Sequence, residues 1–264
     1  MHILVCIKQV PAGSVPLDST NGVLDRSLAG TDLNPFDTYA IEAALRLKET
    51  FGGSVTALTM GPPSAKSVLQ TAFSIGVDGG VLLSDRAFAG ADVFATARTL
   101  AAGIKTLSPF DYIVTGQQST DGDTAQLPAS LAVQLQLPFV PWVKAIEMET
   151  DNRLRLSQEL SRGTQEILVS APCLLSVGAG IGSVRLPNLR DKLRAKSKPI
   201  QLLTLADLQD TDATHYGLLA SPTRVCHIET VEQAAKTAIQ PTDVPQAVEA
   251  LLHSLDTRGG NGHV

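Results

Sequence analysis

The chain has 264 residues, of which 44% are hydrophobic and 18% charged, and its formal net charge is −5 at pH 7. This length and hydrophobicity are typical of a folded chain with a sizeable core and argue against intrinsic disorder. No apolar run reaches the roughly 18 residues that a membrane-spanning helix needs. The acidic balance gives no support to nucleic-acid binding. The first residues carry no export signal, so we expect a cytoplasmic protein.

The three cysteines, Cys6, Cys173 and Cys226, lie far apart in the sequence, each among apolar neighbours. An odd number of cysteines without CxxC spacing argues against a disulfide framework and against zinc or iron–sulfur ligation. The five histidines show no ligand spacing either. We therefore expect no metal site and no catalytic Ser–His–Asp or Cys–His set.

Strand and helix patterns alternate through the first half of the chain. Short apolar runs, typical of strands buried on both faces, cover residues 3–7, 55–60, 81–84 and 112–115. Apolar residues recur at helical spacing over residues 39–49, 65–75, 91–107 and 125–135. Strands that alternate with helices of this length predict βαβ units, and so an α/β fold with a mostly parallel sheet and helices on both faces.

The pattern changes after Pro138. Alternating apolar and polar residues predict an antiparallel β-hairpin over residues 142–149 and 153–160, and a further buried strand covers residues 173–177. We expect the strands of the core to be complete by Val177. This organisation predicts a nucleotide-binding α/β domain over residues 1–210 and a C-terminal arm over residues 211–264, which ends in an amphipathic helix over residues 244–255.

The polar segment after the fourth predicted strand has the composition of a phosphate-binding loop. Its small and hydroxyl residues leave backbone N–H groups free, and the N-terminus of the following helix adds positive partial charge. Ser119 and Thr124 can donate to phosphate oxygens, and Gln126 can reach a ribose. The alternative is an ordinary polar loop in which Asp121 or Asp123 caps the helix. Two carboxylates so close to a phosphate favour that alternative.

The ends of two other strands are expected at the same edge of the sheet, because the carboxyl ends of parallel strands meet there. Lys8 follows the first strand, where a solvated loop charge is a more common role than a phosphate clamp. Met60 closes the second strand, where a tight turn admits an adenine ring or is simply a turn. The sequence Gly178-Ala-Gly-Ile-Gly182 looks like a dinucleotide fingerprint, but no suitable helix follows it, so we discount it.

At these residues the sequence resembles the beta subunit of electron-transfer flavoprotein. Five matches follow one another at the expected intervals: Val5-Cys-Ile-Lys-Gln-Val-Pro11, Leu33-Asn-Pro-Phe-Asp37, Met60-Gly-Pro62, Gly76-Val-Asp-Gly-Gly80 and Gly116-Gln-Gln-Ser-Thr-Asp-Gly-Asp-Thr-Ala-Gln126. The resemblance implies a fold of the adenine-nucleotide hydrolase-like type, an alpha-subunit partner and a C-terminal arm that embraces this partner.

The resemblance also implies which residues bind a cofactor, since the last matching segment binds the diphosphate of an adenine nucleotide in the family. The cofactor-binding residues carried over in this way are Cys6, Asn34, Asp37, Met60, Gly116, Gln117, Gln118, Ser119, Thr120, Asp121, Gly122, Asp123, Thr124, Ala125, Gln126 and Leu127. A family loop that docks acceptor dehydrogenases corresponds to Leu186, Pro187, Asn188 and Leu189, which lie in a basic segment with spaced leucines.

Members of the family differ in what the beta subunit holds. Some hold structural AMP while FAD in the alpha subunit relays electrons; others hold FAD, accept hydride from NADH and bifurcate the electron pair. Asp37, the sequence Asp121-Gly-Asp-Thr124 and residues 84–92 resemble the second group. The resemblance therefore implies FAD, with AMP as the alternative, and NADH as substrate. It implies an acyl-CoA or 2-hydroxy-acid dehydrogenase and a low-potential ferredoxin or flavodoxin as acceptors. A stand-alone ATP-binding sensor module is an alternative of a different class.

The predicted arm has too little periodic apolar sequence for a core of its own, yet it carries apolar residues that are unfavourable in water. We therefore expect a set of its apolar side chains to be buried against the alpha subunit, namely Tyr216, Leu218, Leu219, Val225, Leu251, Leu252 and Leu255.

Overall fold

The computed structural model describes residues 1–13, 30–107, 109–148, 153–226 and 243–258. Its strands are β1 (His2–Cys6), β2 (Gln9–Pro11), β3 (Thr31–Leu33), β4 (Ser54–Met60), β5 (Gly79–Leu83), β6 (Tyr112–Gly116), β7 (Phe139–Met148), β8 (Arg153–Leu160), β9 (Gly163–Ser170), β10 (Cys173–Val177) and β11 (Gln201–Leu203). Its α-helices are α1 (Pro35–Phe51), α2 (Lys66–Ile75), α3 (Val93–Lys105), α4 (Leu127–Leu135), α5 (Leu189–Ala195) and α6 (Val244–Arg258). Within these ranges no helix is long and apolar enough to cross a membrane.

Nine of the described strands form one sheet in the order β11-β5-β4-β1-β6-β10-β7-β8-β9. Neighbouring strands are parallel from β11 through to β7, whereas β7, β8 and β9 pair antiparallel. The strands β2 and β3 form a small antiparallel pair of their own. The predicted α/β class and the predicted hairpin are therefore confirmed.

Helices cover both faces of the parallel strands because these strands are apolar on both faces. In β1, Ile3 and Val5 belong to a core cluster that contains residues of α1 and α2. Leu4 and Cys6 alternate with them and belong to a second cluster, which contains residues of α3 and α4. The result is a layer of helices on each side of the sheet.

The order of the strands reverses at β1. From β1 the chain continues to β4 and β5 on one side, whereas β6 leads to β7 and β10 on the other. In open parallel sheets, a crevice for ligands opens at the carboxyl ends of the strands where the order reverses. The loops that follow β1 and β6 border this crevice, and the second of them is the predicted phosphate-binding loop.

The expectation that the core strands are complete by Val177 is wrong. The strand β11 pairs in parallel with β5 at the edge of the sheet, and Leu203 and the following Leu208 are buried. With three residues, β11 is too short to show a periodicity in the sequence.

The expectation that Tyr216 is buried against a partner is also wrong. Its side chain is buried within this chain, and its ring meets the edge of Phe88 with centroids 5.6 Å apart. Further along, the carboxylate of Asp92 at the start of α3 accepts hydrogen bonds from the backbone N–H and the hydroxyl of Thr223, at 3.0 and 2.8 Å. These residues belong to a first compact unit that comprises Met1–Cys226.

The second unit is His227–Val264, of which residues 243–258 are described. The predicted C-terminal helix is confirmed as α6. The side chains of Val248, Leu251 and Leu252 are exposed on it, whereas the surroundings of the Leu255 side chain lie outside the described part of the chain. The burial of this helix against an alpha subunit stays a prediction, as does the division of the chain at residue 210.

Candidate functional site

The end of β6 and the first turn of α1 approach each other closely at the crevice. A Cβ atom at Gly116 would overlap the Oδ1 atom of Asp37 and would lie 2.9 Å from the carbonyl carbon of Phe36. Only glycine therefore allows α1 to lie this close to the strand. The contact places the carboxylate of Asp37 directly beneath the loop that leaves β6.

Asp37 is a buried carboxyl group at the centre of this contact. Its Oδ2 atom accepts the N–H of Lys8 at 2.7 Å, and it also accepts hydrogen bonds from Asn34 and from the N–H of Gly116. Burial raises the pKa of Asp37 to about 7, although these hydrogen bonds and the Lys8 charge act in the opposite direction. Burial, together with the charge of Asp37, raises the pKa of Cys6 to about 12, so this thiol stays protonated and unreactive.

The side chain of Asn34 binds the loop after β6 as well as the carboxylate of Asp37 in α1. It is fully buried, and its Nδ2 atom donates to the carbonyl of Gln118 at 2.9 Å. Its Oδ1 atom accepts the N–H of Thr120 at 3.3 Å. An asparagine at the N-cap of a helix usually accepts a hydrogen bond from the first turn, but the side chain of Asn34 makes no such bond to α1.

The two carboxylates of the loop both have partners. The Nζ atom of Lys8 lies 2.6 Å from Oδ1 of Asp121. Burial acts to raise the pKa of Asp121, but the hydrogen bond and the charge of Lys8 outweigh it and lower this pKa. The Nε2 atom of Gln118 donates to Asp123 at 2.6 Å. The charge of Asp121 is thus compensated by Lys8, whereas Asp123 is held by a neutral amide and keeps its negative charge.

The end of the loop has an unusual backbone. Asp123 and Ala125 have φ values of 49° and 53°, in the left-handed region that non-glycine residues rarely adopt. Helix α4 then begins at Leu127, with Gln126 at the N-cap position and no capping side chain. The alternative in which an aspartate of the loop caps the helix is therefore wrong. The predicted start at residue 125 is two residues early, because a left-handed residue cannot join a right-handed helix.

This backbone leaves donors available at the start of α4. Within the described residues, the N–H groups of Thr124 and Ala125 make no hydrogen bond. The Oγ1 atom of Thr124 accepts the N–H of Gln126 at 3.4 Å, and its own O–H is free to donate outward. Where residues with left-handed backbone neighbour residues of other conformation, successive N–H groups can form a concavity that binds anions. The start of the helix adds positive partial charge to this concavity. The arrangement suits a phosphate group.

The other predicted binding residues border the same edge of the sheet. The N–H of Gln117 donates to the carbonyl of Val177 at the end of β10, at 2.9 Å. Ser119 Oγ lies 3.4 Å from the Nζ atom of Lys8. Met60 ends β4, the neighbour of β1, and is partly buried against the core cluster that contains Cys6. The fold thus brings these predicted residues to the same edge of the sheet.

Comparison with known proteins identifies the family of the chain. The family model described as "Electron transfer flavoprotein domain" matches residues 21–208. The electron transfer flavoprotein subunit beta of Clostridium acetobutylicum is 37% identical over 256 residues, which cover 97% of this chain and 98% of the relative. The chain belongs to the electron transfer flavoprotein beta-subunit family.

Two further relatives of this family carry other names. Protein FixA of Bradyrhizobium diazoefficiens is 35% identical over 263 residues, 97% of this chain and 91% of the relative. The caffeyl-CoA reductase-Etf complex subunit CarD of Acetobacterium woodii is 40% identical over 227 residues, 85% of this chain and 86% of the relative.

The predicted docking residues of this electron transfer flavoprotein chain lie on an exposed segment after β10. Leu186 and Leu189 are 89% and 74% exposed, which is unusual for leucine. Asn188 caps helix α5, since its Oδ1 atom accepts the N–H of Asp191 at 2.9 Å. Leu193, one turn further along α5, is exposed as well and was missed by the sequence reasoning. The docking role itself stays a prediction.

Two further residues have unusual surroundings: Trp142 within β7, which the sequence reasoning missed, and Gly178 directly after β10, which it discounted as part of a dinucleotide fingerprint. Trp142 is exposed and has a φ of 56°, and its N–H donates to Ser176 Oγ at 3.2 Å. A Cβ atom at Gly178 would overlap the Oε1 atom of Gln117, so the glycine makes room for a residue of the loop. The position of Gly178 directly after a buried strand was an available signal, whereas no sequence pattern shows the backbone of Trp142.

Proposed function

We propose that this chain is the beta subunit of a heterodimer that holds FAD at the crevice between β1 and β6. In this proposal the subunit accepts hydride from NADH and bifurcates the electrons toward a dehydrogenase and a low-potential acceptor. The backbone at Asp123 and Ala125 carries the proposal. Each left-handed residue costs roughly 1–3 kcal/mol, and such strain is typically retained at binding sites. A bound diphosphate would offset this cost through the free N–H groups that the strained backbone presents.

The residues around the loop fit a nucleotide diphosphate. The N–H groups of Thr124 and Ala125 and the hydroxyl of Thr124 are the donors, and Lys8 neutralises Asp121 next to them. Asp37 lies beneath the loop as a carboxyl group whose pKa is about 7. The isoalloxazine ring of FAD, when bound, supplies the redox chemistry. The protein supplies binding, orientation and electrostatics.

AMP is the second candidate for this site, in which case FAD in the alpha subunit alone relays electrons. The ion pair between Lys8 and Asp121 favours it, because the Lys8 charge is already compensated within the loop. A loop that offers mainly backbone donors is sufficient for the single phosphate group of AMP. Membership of the electron transfer flavoprotein family argues against the alternative of a stand-alone ATP-binding sensor module.

The family implies an alpha subunit as the obligate partner. The name of the Acetobacterium woodii relative includes a caffeyl-CoA reductase, which supports a dehydrogenase of the acyl-CoA type as the acceptor in our proposal. A 2-hydroxy-acid dehydrogenase is the other acceptor, and ferredoxin or flavodoxin takes the low-potential electron. A cytoplasmic location is part of the same proposal.

The nucleotide content of the co-expressed heterodimer tests the proposal. Nucleotides released by denaturation are quantified by absorbance and mass spectrometry, and the heterodimer is titrated with NADH under anaerobic conditions. We expect two FAD molecules per heterodimer, no AMP, and bleaching of the flavin absorbance by NADH. One FAD with one AMP would instead establish the AMP-holding subunit. Failure of the purified heterodimer to reduce either class of dehydrogenase would contradict the acceptor part.

The variant Thr124→Val tests whether the nucleotide binds at this loop. Loss of a charge-assisted hydrogen bond costs about 1.5–3 kcal/mol, so the affinity for the nucleotide should fall at least tenfold. Thr50→Val, near the far end of α1, is the matched control and should retain full nucleotide content after dialysis. Equal retention by both variants would show that the hydroxyl of Thr124 does not bind the nucleotide.

A further inference from the structure

Four charged side chains join helix α1 to the chain just before the predicted docking residues. We call Glu42, Arg46, Glu49 and Arg185 the clamp. The carboxylate of Glu42 is 4% exposed, and its Oε2 atom accepts from Nε of Arg185 at 2.8 Å and from the backbone N–H of Arg185 at 3.2 Å. The same guanidinium also pairs with Glu49. Arg185 is therefore held through its backbone and its side chain.

Arg46 extends the clamp to the residues that precede Arg185. Its Nε atom donates to Oε1 of Glu42 at 2.8 Å. Its two terminal nitrogens donate to the carbonyls of Ile181 and Ser183, each at 3.0 Å. The backbone is thus tied to α1 at three points over five residues, from residue 181 to residue 185.

The electrostatics of the clamp favour one fixed arrangement. Burial acts to raise the pKa of Glu42, but the hydrogen bonds from Arg185 and Arg46 outweigh it and lower this pKa to about 2. The carboxylate is therefore ionised over the whole physiological range. Glu42 is buried but its arginine partners are one third to half exposed, so these ion pairs contribute little net stability, while their directional hydrogen bonds can specify one geometry.

The other end of the exposed segment is tied to different elements. Ala195, at the end of α5, is buried. Lys198 Nζ donates to the carbonyl of Val77 at 2.8 Å and lies 5.2 Å from the centre of the Phe73 ring. Between these two attachments, the leucines at positions 186, 189 and 193 remain exposed. The segment is therefore held at both ends and exposes apolar side chains between them.

We propose that Arg185 is a positioning residue for electron delivery, because the clamp holds Leu186 in one place for contact with the acceptor dehydrogenase. This inference rests on the proposed docking function. Binding costs less free energy when the interface residues are ordered before the partner arrives. The clamp supplies that order at the residue directly before Leu186.

The test compares Arg185→Met with Arg190→Met in the co-expressed heterodimer. Both variants remove one positive charge from the same segment, but the side chain of Arg190 is exposed and makes no hydrogen bond or ion pair within the described residues. For Arg185→Met we expect faster amide hydrogen exchange over residues 182–190. The KM for the acceptor dehydrogenase that the wild-type heterodimer reduces should rise about three- to tenfold, from the added ordering cost. We expect kcat and flavin reduction by NADH to stay unchanged.

A second variant covers the case in which Arg185→Met does not fold. Arg185→Lys keeps the charge but cannot reproduce the forked hydrogen bonds to two carboxylates. It should give exchange rates and KM values between those of the wild type and Arg185→Met. Arg190→Met should leave the exchange rates unchanged.

The outcomes separate this inference from the docking proposal. If Leu186→Ala raises KM but Arg185→Met and Arg185→Lys do not, docking stands and the clamp is not a positioning device. If Arg185→Met speeds exchange and neither it nor Leu186→Ala changes KM, the docking proposal fails and the inference fails with it. An equal rise of KM in Arg190→Met, without faster exchange in either variant, would assign the effect to charge alone and overturn the inference.

Discussion

Asp37 is buried beneath the candidate phosphate loop, and its hydrogen bonds offset the cost of its charge only in part. The residue is close to half protonated near pH 7, because burial raises its pKa to about 7. Protonation of this group is therefore coupled to whatever negative charge binds in the loop above it. A bound phosphate would raise the pKa of Asp37 further.

The variant Asp37→Asn should change how stability depends on pH. The folded-state pKa is raised from 3.8 to about 7, so the contribution of Asp37 is present below pH 4 and is lost as the pH rises to about 7. Relative to the wild type, the variant should gain up to roughly 4 kcal/mol between pH 4 and pH 7 and nothing more above that. Thermal unfolding of the nucleotide-free heterodimer between pH 4 and pH 8 measures this difference. Asp32→Asn, on the exposed surface of β3, is the control, and parallel pH profiles for both variants would refute the prediction.

A pair of glycine variants tests the close approach of α1 to β6. In Gly116→Ala the new methyl group meets the backbone of residues 36 and 37, which cannot rotate away, and overpacking of this kind costs about 1–3 kcal/mol. In Gly30→Ala, outside the predicted site, the methyl group lies 3.6 Å from the Cβ atom of Ala12, an ordinary contact. We expect Gly116→Ala to lower both the melting temperature and the nucleotide content, and Gly30→Ala to change neither. Normal nucleotide binding by Gly116→Ala would place the nucleotide elsewhere.

At the scale of elements, the segment that contains α5 combines fixed ends with exposed leucines. An exposed apolar anchor among basic residues fits a partner that brings an apolar pocket with an acidic rim. The electrostatic part of such contacts mainly affects the rate of association, whereas the apolar anchor affects how long the complex lasts.

The variant Leu186→Ala should weaken this contact selectively. Truncation of an interface anchor typically costs 1–2 kcal/mol or more, so we expect the KM for the acceptor dehydrogenase to rise at least about fivefold. Reduction of the bound flavin by NADH should be unchanged, because Leu186 lies outside the loop that would hold the nucleotide. Leu202→Ala, an equally simple truncation of an exposed leucine on β11, is the control. Parallel loss of both activities in Leu186→Ala would mean that the segment is structural.

At the scale of the whole molecule, the chain divides after Cys226 into two units. Residues 211–226 contribute a buried tyrosine and several hydrogen bonds to the first unit. In the same stretch Leu218, Leu219 and Val225 are exposed, and their burial against an alpha subunit stays a prediction.

Two truncations test this division. A chain that ends at residue 226 keeps Tyr216 in place, whereas one that ends at residue 210 loses it, at a cost of about 3–5 kcal/mol for a buried aromatic side chain. We expect the longer chain to melt like the full-length protein and the shorter one to melt at lower temperature or to aggregate. Both should fail to co-purify with the alpha subunit. Co-purification of the longer chain at full yield would show that residues 227–264 do not hold the subunits together.

The sequence by itself determined the class of fold and the region of the site. Continuous apolar runs separated by helical patterns are local signals, and they were sufficient for β1, β4, β5 and β6 and for the helices between them. The polar residues directly after β6 are also visible in the sequence. The rule for parallel sheets then predicts a ligand crevice beside them. The resemblance to the electron transfer flavoprotein family, carried by the order of five motifs, was confirmed by relatives that span nearly the whole chain.

Only the tertiary structure decided which charged residues pair with each other and where the short strand β11 and Tyr216 lie. The pairing of Lys8 with Asp121 joins residues 113 positions apart, and the clamp joins Glu42 to Arg185 over 143 positions, so neither could be read from neighbouring residues. The strand β11 needs the free edge of β5, and Tyr216 needs an apolar site beside Phe88. Both exist only once the sheet has formed. The left-handed backbone at Ala125 opposes the intrinsic helix preference of alanine. A local preference of less than 1 kcal/mol is overridden when the hydrogen bonds and ion pair that hold the loop fix the path of the chain.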